Sequence, residues 1–259
     1  MMYLKRYFLI KSRPKVPVRI CKDAWEDIQE YKDDFKYVIR FRDEFRPQFL
    51  HQSPQGKFRR DAVNHIMHVV SETKLTHCSQ QLAVYMLDIF MDNYYIDTDK
   101  LLLLANTCLL IAAKIEENSM TMPKIAELNS FVNNRYTISD YKNLEVLILN
   151  FYNWYVMFPT PAHYTHYYMQ DAVNLEDIHF KRTTLRELVL ELFTFTRKYL
   201  NAITEDIHYM QCFAPSKLGA AVLSSARLSI GLSSWTVELQ NLTGYTDNDL
   251  RDIRNILLQ

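Results

Sequence analysis

The sequence predicts an all-α protein: two tandem five-helix domains with an extra helix in front of them. Three observations carry that prediction. Only four glycines occur in 259 residues, too few for the turns and bulges of an all-β fold or for a phosphate-cradling loop. The stretch from Leu101 to Ala113 is apolar nearly all round, as a helix enclosed by other helices must be. Finally, "YTISDYKNLEVLILN" from Tyr136 is echoed by "YTDNDLRDIRNILLQ" from Tyr245. Upstream of these, "CLLIAAKI" is echoed by "AVLSSARL", which sets Ala113-Lys114-Ile115 opposite Ala226-Arg227-Leu228. Self-similarity at about 100 residues is too long for a solenoid repeat and indicates two copies of a small helical domain.

Residues 1–50 form an N-terminal arm and helix. The arm, "MMYLKRYFLIKSRPKVPVRI", is basic and lacks the apolar stretch of a secretory signal. A charged helix is predicted within 20–46, with Ala24, Ile28 and Tyr31 along one side, and "RPQFLHQSPQGKF" reads as a connector. The first domain, 51–158, takes helices near 58–72, 77–93, 98–116, 123–131 and 138–153. Leu82, Met86, Ile89 and Phe90 give the second of these one apolar face. The fifth opens on Thr137 with Asp140 three residues later, the pattern in which a hydroxyl accepts an orphan helical N–H.

The second domain, 159–259, takes helices near 161–173, 180–200, 215–230, 235–242 and 247–259. Thr160-Pro161 is an N-cap followed by proline at the first helical position. Gly231 and Gly244 follow apolar runs, where C-cap glycines belong. Thr246 and Asp249 repeat the cap of Thr137 and Asp140, and apolar residues recur at matched offsets, Leu144 with Ile253 and Leu147 with Ile256. The last helix runs to the final residue, which leaves room for the natural chain to continue past Gln259.

Composition narrows the function. Lys plus Arg and Asp plus Glu both total 30, a poor footprint for nucleic-acid binding, which needs a basic face. Apolar residues make up 48%, enough for a core without disulfides or metals. Cys21, Cys78, Cys108 and Cys212 are scattered with no CxxC pair, which fits a reduced intracellular protein, nuclear or cytoplasmic, with Cys108 as a small core residue. The apolar run at 101–113 is shorter than the roughly 18 residues of a membrane span, so no membrane partner is expected.

"LLIAAKIEE" closing a central helix, between two five-helix repeats, resembles the cyclin fold, and "LAVYMLDIFMD" resembles its second helix. Five positions match the family's first box: Arg59, Asp88, Leu103, Lys114 and Glu145. The resemblance covers about 58–259, more weakly in the second half. "LAVYMLDIFMD", "KIEE" and "PTPAHYTHYYMQDAV" point to the cyclin J branch. It implies a structural ion pair between Arg59 and Asp88, a core role for Leu103, and a cyclin-dependent kinase as partner. Lys114 and Glu145 would grip backbone beside the kinase's regulatory helix, with Ile115 and Leu149 adding the apolar part of that surface. On their residues alone, Lys114 could equally be a cation at a helix C-terminus and Glu145 a solvated helix charge. Arg227 stands opposite Lys114, but Arg254 stands opposite Glu145, so only the first copy has an opposed pair. The implied role is regulation of a Ser/Thr kinase in cell-cycle control, non-catalytic and without cofactor or metal, with the kinase's protein substrates as further partners.

The family's substrate-docking groove, written M-R-A-I-L-x-x-W on the first helix, is altered. Here it reads Phe58-Arg59-Arg60-Asp61-Ala62, with His65 in the tryptophan place. Rival readings rest on less. Asp33-Asp34 and Asp88 with Asp92 fall short of an aspartate-rich magnesium motif, and the pairs His65/His68 and His163/His166 have no HExxH setting. A cyclin-fold scaffold on nucleic acid, as in general transcription initiation factors, is disfavoured by zero net charge. Ser53-Pro54 is a proline-directed phosphorylation candidate, and Arg6 to Leu9 fits a loose R-x-x-L degradation signal.

Overall fold

In the computed structural model, the structure describes residues 37–39, 41–43, 45–50 and 56–259. Ala24, Ile28, Tyr31, Asp33-Asp34, Cys21, Ser53-Pro54 and the Arg6–Leu9 motif lie outside the described residues. The described residues are helical, without a strand. The first domain comprises α1 (Gly56–Thr73), α2 (His77–Asn93), α3 (Leu101–Glu116), α4 (Ile125–Ser130) and α5 (Ile138–Phe151). The second comprises α6 (Pro161–Tyr168), α7 (Leu175–Lys181), α8 (Leu185–Glu205), α9 (Ile207–Cys212), α10 (Pro215–Ser229), α11 (Val237–Thr243) and α12 (Asp247–Leu257).

Local chemistry starts these helices where the sequence indicates. Thr137 and Asp140 form a reciprocal capping box at α5, and Thr246 and Asp249 the same box at α12, each satisfying orphan donors of the first turn. Thr160 caps α6 with Pro161 at its first position. Gly244, at φ +79°, ends α11 in the left-handed conformation that side chains disfavour.

Each domain encloses one helix. α3 packs on α1, α2, α4 and α5, and twelve of its residues from Leu101 to Ala113 are buried. α10 does the same among α6, α8 and α12. A large apolar side chain fully removed from water contributes about 1.5–3 kcal/mol, and Leu104, Leu109, Leu218 and Leu223 are all at 0% exposure. The approach of α10 to α6 is so close that a Cβ on Gly219 would stand 2.8 Å from the Tyr164 Cβ.

The expected helix over 180–200 starts later, at Leu185, and runs on to Glu205 as α8, while α7 (Leu175–Lys181) precedes it as an additional short helix. Arg182 adopts φ +50°, and Thr184 opens α8 with a capping box to Glu187. The expected helix over 161–173 ends at Tyr168 and tightens into a 3-10 turn at Met169–Asp171, and α9 is an additional short helix.

The domains meet along a polar seam. The Gln81 amide on α2 donates to the Leu200 carbonyl and the Thr204 hydroxyl of α8, both at 3.2 Å. Its oxygen accepts from the Ala162 N–H of α6 at 2.8 Å. One buried side chain thereby satisfies groups on two helices of the other domain, as buried polar groups require.

Candidate functional site

The end of α3 carries Lys114, Ile115 and Glu116, with Glu117 as the C-cap, and consecutive residues of a helix point about 100° apart. Each therefore serves a different neighbour. The Lys114 ammonium pairs with the Glu145 carboxylate of α5; the side chains are 41% and 16% exposed. Ile115 is half-buried against the first core, as is Leu149 on α5. Glu116 turns to the second domain, where His163 of α6 meets it at 3.2 Å. Glu117 accepts from the Thr76 N–H at 2.7 Å and the Ser79 hydroxyl at 2.9 Å, closing the start of α2. A carboxylate is well suited to the exposed amides of a helix N-terminus.

The apolar residues next to the Lys114–Glu145 pair are Ile115, which follows Lys114 on α3, and Leu149, one turn beyond Glu145 on α5, both half-buried. An exposed ion pair alone contributes about 0–1 kcal/mol to stability. Lys114 and Glu145 combined with apolar surface instead form an amphipathic face, with Lys114 keeping unused donors for a second molecule.

Arg59 and Asp88 sit elsewhere, in the interior. Two guanidinium nitrogens meet the two carboxylate oxygens at 2.7 and 2.9 Å. The same guanidinium donates to the Thr204 carbonyl at 3.0 Å and the Glu205 carbonyl at 2.6 Å, at the end of α8. Burial raises the Asp88 carboxyl above its ordinary range, and the guanidinium on both oxygens opposes that rise. Leu103 is buried in α3.

On α1, Asp61 is exposed, Phe58 is half-buried against the core, and Ala62 is fully buried. The His65 Nε2 lies 2.8 Å from the Asn106 oxygen, while the Asn106 amide donates to the Leu128 carbonyl and the Tyr141 hydroxyl. With both amide hydrogens spent, the oxygen must accept, so Nε2 of neutral His65 carries the hydrogen. Burial holds this imidazole below its ordinary pKa. The position is polar, where an indole would be an apolar floor.

The second-domain counterparts of Lys114 and Glu145 have a different role. Arg227 is 0% exposed, donating to both oxygens of Asp177 at 2.8 and 3.0 Å, to the Ser233 carbonyl at 2.8 Å and to the Ala172 carbonyl. Arg254 is 7% exposed, bound to Asp247 and, at 2.9 Å, to the Ser224 hydroxyl. Both are internal ties of their own domain. The sequence pairs His163 only with His166 and gives Glu116 no partner; a charge in a last turn and a histidine behind Thr-Pro carry no signal of each other.

Among the described residues, no group of three or more His, Cys, Asp or Glu side chains could hold a metal ion, and no helix is long and apolar enough to cross a membrane.

Comparison with known proteins matches residues 35–157 to the family "Cyclin, N-terminal domain" and residues 159–259 to "Cyclin, C-terminal domain". Cyclin-J of Xenopus laevis is 32% identical over 220 residues, covering 82% of this chain and 57% of the relative. A Cyclin-J-like protein of Mus musculus is 32% identical over 235 residues, covering 87% and 60%. The chain thus spans less than two thirds of these curated relatives. A viral cyclin from herpesvirus saimiri superposes with a TM-score of 0.67 at 15% identity, over 86% of this chain and 95% of that one.

Proposed function

The chain belongs to the cyclin family, and from that membership we propose that it is a non-catalytic regulatory subunit that binds and activates a cyclin-dependent protein kinase in cell-cycle control. The observation that carries the proposal is the Lys114–Glu145 pair at the surface beside Ile115 and Leu149, where the second domain has two buried arginines. Two charges held at a surface stabilise the fold little, but they are pre-organised for a partner. Glu145 orients the flexible lysine before binding, which lowers the entropy lost in the complex.

In the complex, the ammonium donates to kinase carbonyls and the Glu145 carboxylate accepts from kinase N–H groups, around an apolar contact made by Ile115 and Leu149. The interaction favours the inward position of the kinase's regulatory helix. That position completes the kinase's own Lys–Glu ion pair, which orients ATP, and helps to order its activation loop. The ligand shifts the equilibrium by its differential affinity for the inward state.

The test is a panel of cyclin-dependent kinases assayed for phosphotransfer with and without the purified chain. At least one member gains activity and binds it, and the chain alone transfers no phosphate. A panel without a bound or stimulated member defeats the proposal.

A further inference from the structure

We propose that Glu116 and His163 form an interdomain latch that positions the last turn of α3, so that the second domain sets the binding strength of a surface it does not itself supply. This rests on the reading of the Lys114 surface given above. Glu116 lies two residues beyond Lys114 in the same turn, and His163 is the third residue of α6, the first helix of the other domain. Both side chains are 10% exposed, and the Glu116 oxygen stands 3.2 Å from Nε2.

The ring is held from its other side. The Thr160 N–H donates to Nδ1 at 3.1 Å, within the capping box that starts α6. Nδ1 is therefore the acceptor nitrogen, and Nε2 carries the hydrogen and donates to Glu116. The ring makes both bonds at once. It links the cap of α6 to the end of α3, and its orientation is set by backbone rather than by chance packing. Charge-assisted bonds of this kind are stronger than neutral ones, so losing the Glu116 carboxylate removes the acceptor that faces Nε2.

The turn that Glu116 anchors contains three contacts in succession: Lys114 to Glu145 on α5, Glu116 to His163 on α6, and Glu117 to the start of α2. Loosening the middle one frees the turn to fray toward Lys114 and Ile115. Glu116 acts here as a positioning residue.

Hydrogen exchange on the full chain reads the latch without any kinase. Glu116→Ala speeds exchange about tenfold in both the 109–118 and 160–168 segments, and Glu116→Gln, which keeps an acceptor for Nε2–H, restores both. His163→Asn keeps an acceptor for the Thr160 N–H but lacks the Nε2 donor, and it matches Glu116→Ala. Affinity for a cyclin-dependent kinase that the wild-type chain binds falls about tenfold in either variant, and the double variant is no weaker than each alone. Unchanged exchange in either segment overturns the latch, as do additive losses in the double variant. Affinity that survives Glu116→Ala overturns the positioning role. A wild-type chain that binds no kinase defeats the proposed function alone, because exchange still decides the latch.

Discussion

Arg227 of α10 is fully buried with its guanidinium on both carboxylate oxygens of Asp177, fifty residues away on α7. The pair secures a seven-residue helix too short to persist alone. Removing one member of a buried pair costs about 3–5 kcal/mol, because the other charge is left unpaired. Arg227→Glu, which sets two carboxylates together, lowers the urea midpoint and melts the second domain, and Arg227→Met loses less. A midpoint within experimental error of wild type contradicts this account. The variant is accordingly unsuited as a neutral control for partner binding.

What the sequence makes legible here is local chemistry. The Thr137, Thr160 and Thr246 caps involve residues within three positions of each other, and the enclosed helix from Leu101 to Ala113 needs no partner to be recognised. The burial of Arg227 depends on Asp177, and the repeat suggested only that an arginine stands where the first copy has a surface lysine. The start of α8 carries the same kind of local cap, Thr184 with Glu187, and it is the left-handed Arg182 before it that no spacing announces. At the candidate site, Lys114 and Glu145 were legible through the resemblance. The link from Glu116 to His163 joins two domains and has no local signature.

Stability falls in mild acid. His77 is held down to about 4, first by burial and then by the Arg197 charge, with an opposing hydrogen bond from Asn201. His166, whose Nδ1 lies 3.5 Å from the Cys78 sulfur, is held down to about 3 by burial, with His163 and His77 adding to the effect. Both folded values lie below the ordinary 6.5, so the unfolded chain binds more protons between them. The stabilisation is full above pH 6.5 and is lost as pH falls toward 4, at up to about 1.4 kcal/mol per pH unit for each histidine. Urea unfolding at pH 7.5, 5.5 and 4.5 measures it. A flat profile contradicts it, as does a slope unchanged when His77 and His166 are replaced by glutamine.

Ordinary R-x-L peptides bind poorly. Entry of a leucine against α1 desolvates the exposed Asp61 carboxylate, and Ala62 and the hydrogen-bonded His65 offer little apolar area in return. Anisotropy titration of a labelled peptide gives no saturation in the micromolar range. Micromolar binding that is lost on Phe58→Ala contradicts this expectation.

The central claim is that Lys114 and Glu145 face a kinase rather than merely each other. The most direct measurement is the kinase affinity of the Lys114→Glu, Glu145→Lys double variant, set beside Arg251→Glu, an exposed charge on α12. The exchange recreates the intramolecular pair, so the fold and its melting temperature are retained. Kinase carbonyls then face a carboxylate and kinase N–H groups an ammonium, and binding stays weakened by about 2–5 kcal/mol, while Arg251→Glu binds like wild type. Wild-type affinity in the double variant would contradict the account, since it would show that the pair matters only for itself.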